Sequence, residues 1–215
     1  MSSELTLDEQ EKIDQIKDFW KRYANLVLGV LLILAIAATG YTWWHRQTLH
    51  KSAEAASIYA TLQAMQQAGQ TSAVSSLADT LMKQYPDSAY SARGALIAAA
   101  TNAAAHNDAA ARSELQWVLD HSSESGMQTI ARLHLAGMLL DAHQPAEAVK
   151  MLDRPHDESD ADLYSDLKGD ALLMLGRRDQ ARVAYQTALQ KLPADSPYRQ
   201  IVEIKLNAIA GAAQP

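Results

Sequence analysis

The residues of this chain that could do chemistry are few, and their spacing does not suit it. Seven histidines stand among 215 residues and cysteine is absent, which removes thiol nucleophiles, disulfides and a lipid-modified N-terminal cysteine. His134 and His143 lie nine positions apart with Asp141 between them. On a helix that interval puts them on opposite sides, so they straddle it instead of converging on a metal. The densest acidic stretch is His156-Asp157-Glu158-Ser159-Asp160 with Asp162. It fails as a calcium loop, because no glycine sits at the sharp turn and Lys168 stands where the bidentate acid belongs. It reads as a solvated connector. No His-Glu-x-x-His, Gly-x-Ser-x-Gly, phosphate loop or Gly-x-Gly-x-x-Gly occurs, so neither metal hydrolysis, acyl transfer nor nucleotide binding has its usual scaffold. A non-enzymatic chain without cofactor or metal is expected. The net charge is −6 and no basic cluster is present, so nucleic acid has no electrostatic footprint.

The elements behind this sparse chemistry begin with an uncharged run from Tyr23 to Trp44. As a helix it would extend about 33 Å, the thickness of a bilayer's hydrocarbon core. Nine branched aliphatics between Leu26 and Ile36 favour insertion by about 3–5 kcal/mol. Phe19, Trp20 and Tyr23 stand at one end and Tyr41, Trp43 and Trp44 at the other, as the two headgroup belts require. A buried core helix and a cleaved signal peptide are the competing readings. Against the first, the residues that follow are patterned as ordinary amphipathic helices. Against the second, the leader is long and mixed, although Ala35-Ile36-Ala37 has the small-x-small form of a cleavage site. A retained transmembrane helix in contact with the lipid bilayer is expected, preceded by a leader over 1–22. Thr6 and Glu9 have capping-box spacing, and Ile13, Ile16 and Trp20 share a helical face; the leader reads equally well as a frayed tail. Lys17, Lys21 and Arg22 before the span outnumber Arg46 and Lys51 after it. That is a small bias toward a cytoplasmic N-terminus, and it leaves direction open.

Residues 45–215 form the second part. Alanine is abundant there while β-branched residues and phenylalanine are sparse, so an all-α domain is expected. Its clearest unit runs from Leu163 to Pro193. Gly169 stands where two helices cross closely, Gly176 ends the first helix, and Ala181 starts the tight packing of the second. Tyr185 and Ala188 face inward, and Pro193 closes the unit. This resembles a tetratricopeptide repeat, although Lys168 replaces the usual leucine and the first-helix aromatic is missing. Ala148 precedes Ala181 by 33 residues, and Ala111 precedes Ala148 by 37, which gives two weaker repeats in register. Two further helices are expected at about 46–68 and 71–84. A last helix from about Pro197 to Gly211, with Ile201, Ile204 and Ala208 on one face, resembles the capping helix of such arrays.

That resemblance implies a superhelix of antiparallel helix pairs whose first helices line a concave groove. The groove residues it implies are Ile130, Leu133, Gly137 and Leu140 from one repeat, then Leu163, Asp166, Asp170, Leu173 and Met174 from the next. Carboxylate-capturing arrays carry Lys and Asn where this chain has Asp166 and Asp170. Two acids there suit an apolar or basic partner segment, while packing against a neighbouring helix or a dimer mate is an equal alternative for each side chain.

The layout as a whole is similar to the ancillary subunit of the bacterial Sec translocon, the YfgM-like family. The likeness rests on that layout, on Asn107-Asp108 with Glu114 to Asp120, on Ile130 to Ala136, and on Tyr164 to Tyr185. It implies a single-pass inner-membrane protein with a cytoplasmic N-terminus and a periplasmic tetratricopeptide-like domain. The implied partners are the Sec translocon, a membrane-anchored periplasmic chaperone of the prolyl-isomerase type, and exported client proteins passed on to chaperones. A membrane-anchored scaffold for cell division or envelope assembly would share both span and repeats.

Overall fold

The computed structural model describes residues 7–211, with side chains from residue 20 to 209 apart from 24, 27, 31, 44–46, 48 and 49. The described residues form two compact units, Met1–Lys51 and Ser52–Pro215. Helix α1 (Leu7–Gln67) supplies the first unit and the opening helix of the second. In the first unit Leu26, Leu28, Val30, Leu32, Ile33, Leu34, Ile36 and Trp43 are all exposed. Among the described residues no helix is long and apolar enough to cross a membrane. The side chains of Ala24, Val27 and Leu31, within the uncharged run, lie outside the described ones, so a span over residues 23–44 rests on the sequence. The Thr6–Glu9 spacing, the Ile13/Ile16 face, and the side chains of Lys17, Phe19, Trp44 and Arg46 also lie outside the described residues.

The second unit is a stack of helix pairs. Residues 52–67 of α1 pair with α2 (Thr71–Gln84), α3 (Ala89–Ala104) with α4 (Asp108–His121), and α5 (Ser125–Asp141) with α6 (Pro145–Leu152). The last pair is α7 (Ala161–Met174) with α8 (Arg178–Lys191), followed by α9 (Arg199–Gly211). Each pair turns over a residue in the left-handed region: Gly69 (φ 67°), His106 (φ 58°), His143 (φ 55°) and Gly176 (φ 73°). In every turn the next amide reaches back to a carbonyl five residues earlier. The four bonds are Gln70 to Met65, Asn107 to Asn102, Gln144 to Leu139 and Arg177 to Leu172, at 2.8–3.0 Å. This is the Schellman closure, which satisfies carbonyls left over at a helix end. Glycine fits it without cost, and histidine is among the side chains that tolerate it.

Counting from these turns fixes one register for all four pairs. Val74, Ala111, Ala148 and Ala181 are equivalent, and all are buried. Twelve residues before each comes the crossing position, and four after it comes the position opposite. The resulting pairs are Leu62/Ala78, Ala99/Leu115, Ala136/Leu152 and Gly169/Tyr185, each buried, with the first three sharing a cluster pair by pair. Volume is exchanged between the two sides of the crossing while the fold is kept. At Gly169 the exchange is complete: a Cβ there would lie 2.5 Å from the Tyr185 ring.

A buried acid joins the two helices of the second pair. The Asn102 amide of α3 donates to the Glu114 carboxylate of α4 at 2.9 and 3.1 Å, and the same amide donates to Ser75 of α2 at 2.9 Å. Burial raises the Glu114 carboxyl above the ordinary range; the Asn102 hydrogen bond opposes this, and the charge of Asp79 adds to it. The raised value favours the neutral acid in the folded state. The stability it contributes is full below the ordinary carboxylate value and is lost as pH rises through the raised one.

Two outcomes follow from this packing. Gly169→Ala should cost about 1–3 kcal/mol by overpacking. Adding Tyr185→Leu, which copies Ala136/Leu152, should reveal a coupling of about 1 kcal/mol in urea unfolding. Glu114→Gln should be more stable than the parent at pH 7 and should lose the parent's gain in stability on acidification toward pH 4.5.

Candidate functional site

Among the first helices, α3 meets α5 and α5 meets α7. In arrays of this kind the first helices line the concave side, and the face formed by α3, α5 and α7 is the candidate binding surface. Between α3 and α5 it holds a shallow trough of about 60 Å³, with Leu96, Ala100 and Ala103 facing Ile130, His134 and Met138. A cavity of that size holds no ligand by itself; it is a dent in an apolar surface.

The implied groove residues divide into three groups. Ile130 and Leu163 are each 40% exposed, Leu173 39% and Met174 46%, so these four present apolar surface to solvent. Gly137 has nothing within 4 Å of where a Cβ would point, which leaves room above α5. Leu133 is half-buried and Leu140 buried, both in the cluster around Ala136, Leu152 and Tyr164; they hold α5 to α6 and α7.

Asp166 and Asp170 form the third group, and they do not border an open groove. Asp166 is 2% exposed. Lys205 of α9 donates to it at 2.9 and 3.0 Å, and the Tyr198 hydroxyl donates at 2.6 Å. Asp170 takes Lys205 at 2.8 Å and the Tyr185 hydroxyl at 2.7 Å. One ammonium and two phenols thus satisfy two carboxylates. Burial pushes both tyrosines well above the usual phenol range, and their bonds to Asp170 and Asp166 add to it. Burial alone would lower Lys205, but its bonds to Asp170 and Asp166 together outweigh that and raise it. In the common register Asp166 falls where α3 has Leu96 and α5 has Leu133, the positions that meet the next first helix. The two acids therefore fix α9 in place of a further first helix.

Sequence periodicity put Ile201 and Ile204 on the working face of α9, yet both are exposed and Val202 and Ile209 are buried instead. The docked face follows Tyr198, Val202, Lys205 and Ile209, because Lys205 must reach Asp166. The Asp166–Lys205 spacing carried no local signal; only the charge of Asp166 at a position that is apolar in the other repeats could have shown it. The acidic connector is structural. Asp160 accepts from Thr129 at 2.8 Å, Glu158 pairs with Lys191, and His156 stacks on Tyr164 with ring centroids 3.9 Å apart. His143 forms a helix turn while His134 lies on the inner face. Among the described residues no group of acids and histidines is placed to hold a metal.

Comparison with known proteins accords with this geometry. The family model described as a tetratricopeptide repeat-like domain matches residues 17–211. A protein of Neisseria gonorrhoeae, named ancillary SecYEG translocon subunit, is 30% identical over 204 residues, covering 94% of this chain and 98% of its own. Proteins of the same name from Haemophilus influenzae and Escherichia coli are 24% and 23% identical, over 94% and 96% of this chain and 98% and 99% of theirs. No solved structure matches the chain.

Lys205→Met leaves Asp166 buried without its cation and should cost about 3 kcal/mol in denaturant unfolding. Asp166→Leu added to it, restoring the residue type of Leu96 and Leu133, should recover most of that loss.

Proposed function

The chain belongs to the tetratricopeptide repeat-like family whose named relatives are ancillary SecYEG translocon subunits, and on that premise we propose that it is a non-enzymatic accessory subunit of the Sec translocon. Residues 23–44 anchor it as a single span in the inner membrane, with residues 1–22 in the cytoplasm and the repeat domain in the periplasm. The nine aliphatics of the run support the anchor, as does the exposure of every described one of them, since a solvent-facing apolar stripe of that length calls for lipid.

The observation that carries the reading is the inner face of α5 and α7. Ile130, Leu163, Leu173 and Met174 leave apolar side chains open on a scaffold whose acids at Asp166 and Asp170 are already engaged by Lys205. Such a face suits apolar segments of a partner: a translocon component, an exported client, or a membrane-anchored chaperone of the prolyl-isomerase type to which the client passes. Leu133, Gly137 and Leu140 support it from beneath. Tethering raises the effective concentration of this face near the channel, so weak contacts suffice.

Purification of the translocon from membranes with the tagged full chain tests the reading. Ile130→Glu with Leu163→Glu, both at exposed positions, should reduce channel recovery about tenfold or more. An unrelated apolar span in place of Leu26–Ala38 should keep the domain folded and lower recovery. Full recovery with the Glu variants would refute the inner face as the contact, and equal recovery by a soluble 46–215 fragment would refute the anchor.

A further inference from the structure

We infer that the outer side of the last repeat carries a second binding surface, a trough that takes an extended polypeptide segment bearing an apolar side chain next to a carboxylate. This surface is independent of the inner face. It lies beside the shortest second helix. α6 has 8 residues, whereas α2, α4 and α8 each have 14. After Leu152 the chain leaves the helical path, and His156 stacks on Tyr164 of α7. Beside the end of α6, Val149 and Asp153 face the first turns of α8. The gap is a trough of about 610 Å³ between α6, α7 and α8, within the ordinary size of a ligand site and ten times the inner dent.

Its floor is apolar. Leu172 and Ala184 are buried beneath it, and Val183 stands 61% exposed at its centre. In the common register the positions equivalent to Val183 are Ser76, Ser113 and Lys150, all exposed. An apolar residue at an outward position is therefore peculiar to this repeat, and it lines the trough.

The charges at the rim select the occupant. Lys168 pairs with Asp153, and Arg182 lies 3.7 Å from Asp179, so those four are largely compensated. Arg177 also lines the mouth and has no partner among the described residues. A guanidinium binds carboxylate by a fork of two N–H donors, so the complementary charge is an acid. Ser165 and Gln180 line the walls with hydrogen-bonding groups that no described residue occupies, suited to main-chain amides. An extended chain alternates its side chains between two faces, so one residue can fill the space over Val183 while a neighbour reaches Arg177.

The test uses the full chain in detergent and two labelled, end-capped hexapeptides, one alternating leucine with glutamate and one alternating leucine with lysine. Fluorescence anisotropy should show the glutamate peptide binding at about 0.1 mM and the lysine peptide at least tenfold more weakly. Val183→Glu should weaken the glutamate peptide about tenfold, Arg177→Ala severalfold with loss of its salt dependence, and Leu163→Glu on the inner face not at all. Helical circular dichroism of each variant reports that the array is intact. Equal binding of both peptides, no binding of either, or unchanged affinity in Val183→Glu with the helical signal retained would overturn the proposal.

Discussion

Two helices that cross back to back approach only as closely as the residues at the crossing allow, and each pair of this array meets that limit differently. A large residue faces a small one every time, but the large one changes sides: Leu62 over Ala78 in the first pair, Tyr185 over Gly169 in the last. Because the sum is held while its division varies, the crossing distance can be kept from pair to pair. Equal crossings, with a left-handed turn at the same place in each pair, are what let α3, α5 and α7 stack side by side. The inner face is built on that stacking. Its exposed residues are set by the positions left over once crossing and stacking are satisfied.

The end of the stack is handled by charge instead of volume. Where α3 and α5 offer Leu96 and Leu133 to the next first helix, α7 offers Asp166 and Asp170, and α9 answers with Lys205, Tyr198 and, from α8, Tyr185. A partly buried ion cluster is not a strong source of stability, since desolvation offsets much of the attraction. It does specify its partner. An apolar face at Asp166 would accept any apolar helix, including one from another chain, whereas two carboxylates, one of them buried, favour a helix with a cation at the right height. The cluster thus ends the array while leaving the apolar residues above it free.

Much of this was legible in the sequence. The Ala148–Ala181 spacing, Gly169 at a close crossing, the inward Tyr185 and Gly176 identify the last pair, and the helices at 71–84 and near 197–211 lie where periodicity put them. The first pair was harder to read as a repeat because its marker is Val74, not alanine, and its crossing residue is Leu62, not glycine. Side-by-side volumes conserve only a sum, and a motif written as single residues cannot register that. His106 and His143 also hid two of the four turns, since a left-handed histidine has no composition signal of its own. The fate of Asp166 and Asp170 was out of reach for a different reason. Their partner Lys205 lies 39 and 35 residues away on α9, and nothing local says which way that helix rolls. Ile201 and Ile204 look like the docking face by spacing alone, and the ion cluster rolls the helix past them.

The inner face formed by the first helices is proposed to be the surface that meets the translocon. Hydrogen–deuterium exchange of the full chain, with and without translocon reconstituted in the same membrane, measures this most directly. Slower exchange in α5 and α7 on adding the translocon, with α2 and α4 unchanged, is the result the account predicts. Unchanged exchange throughout α3 to α7, or slowing confined to α2 and α4, would contradict it.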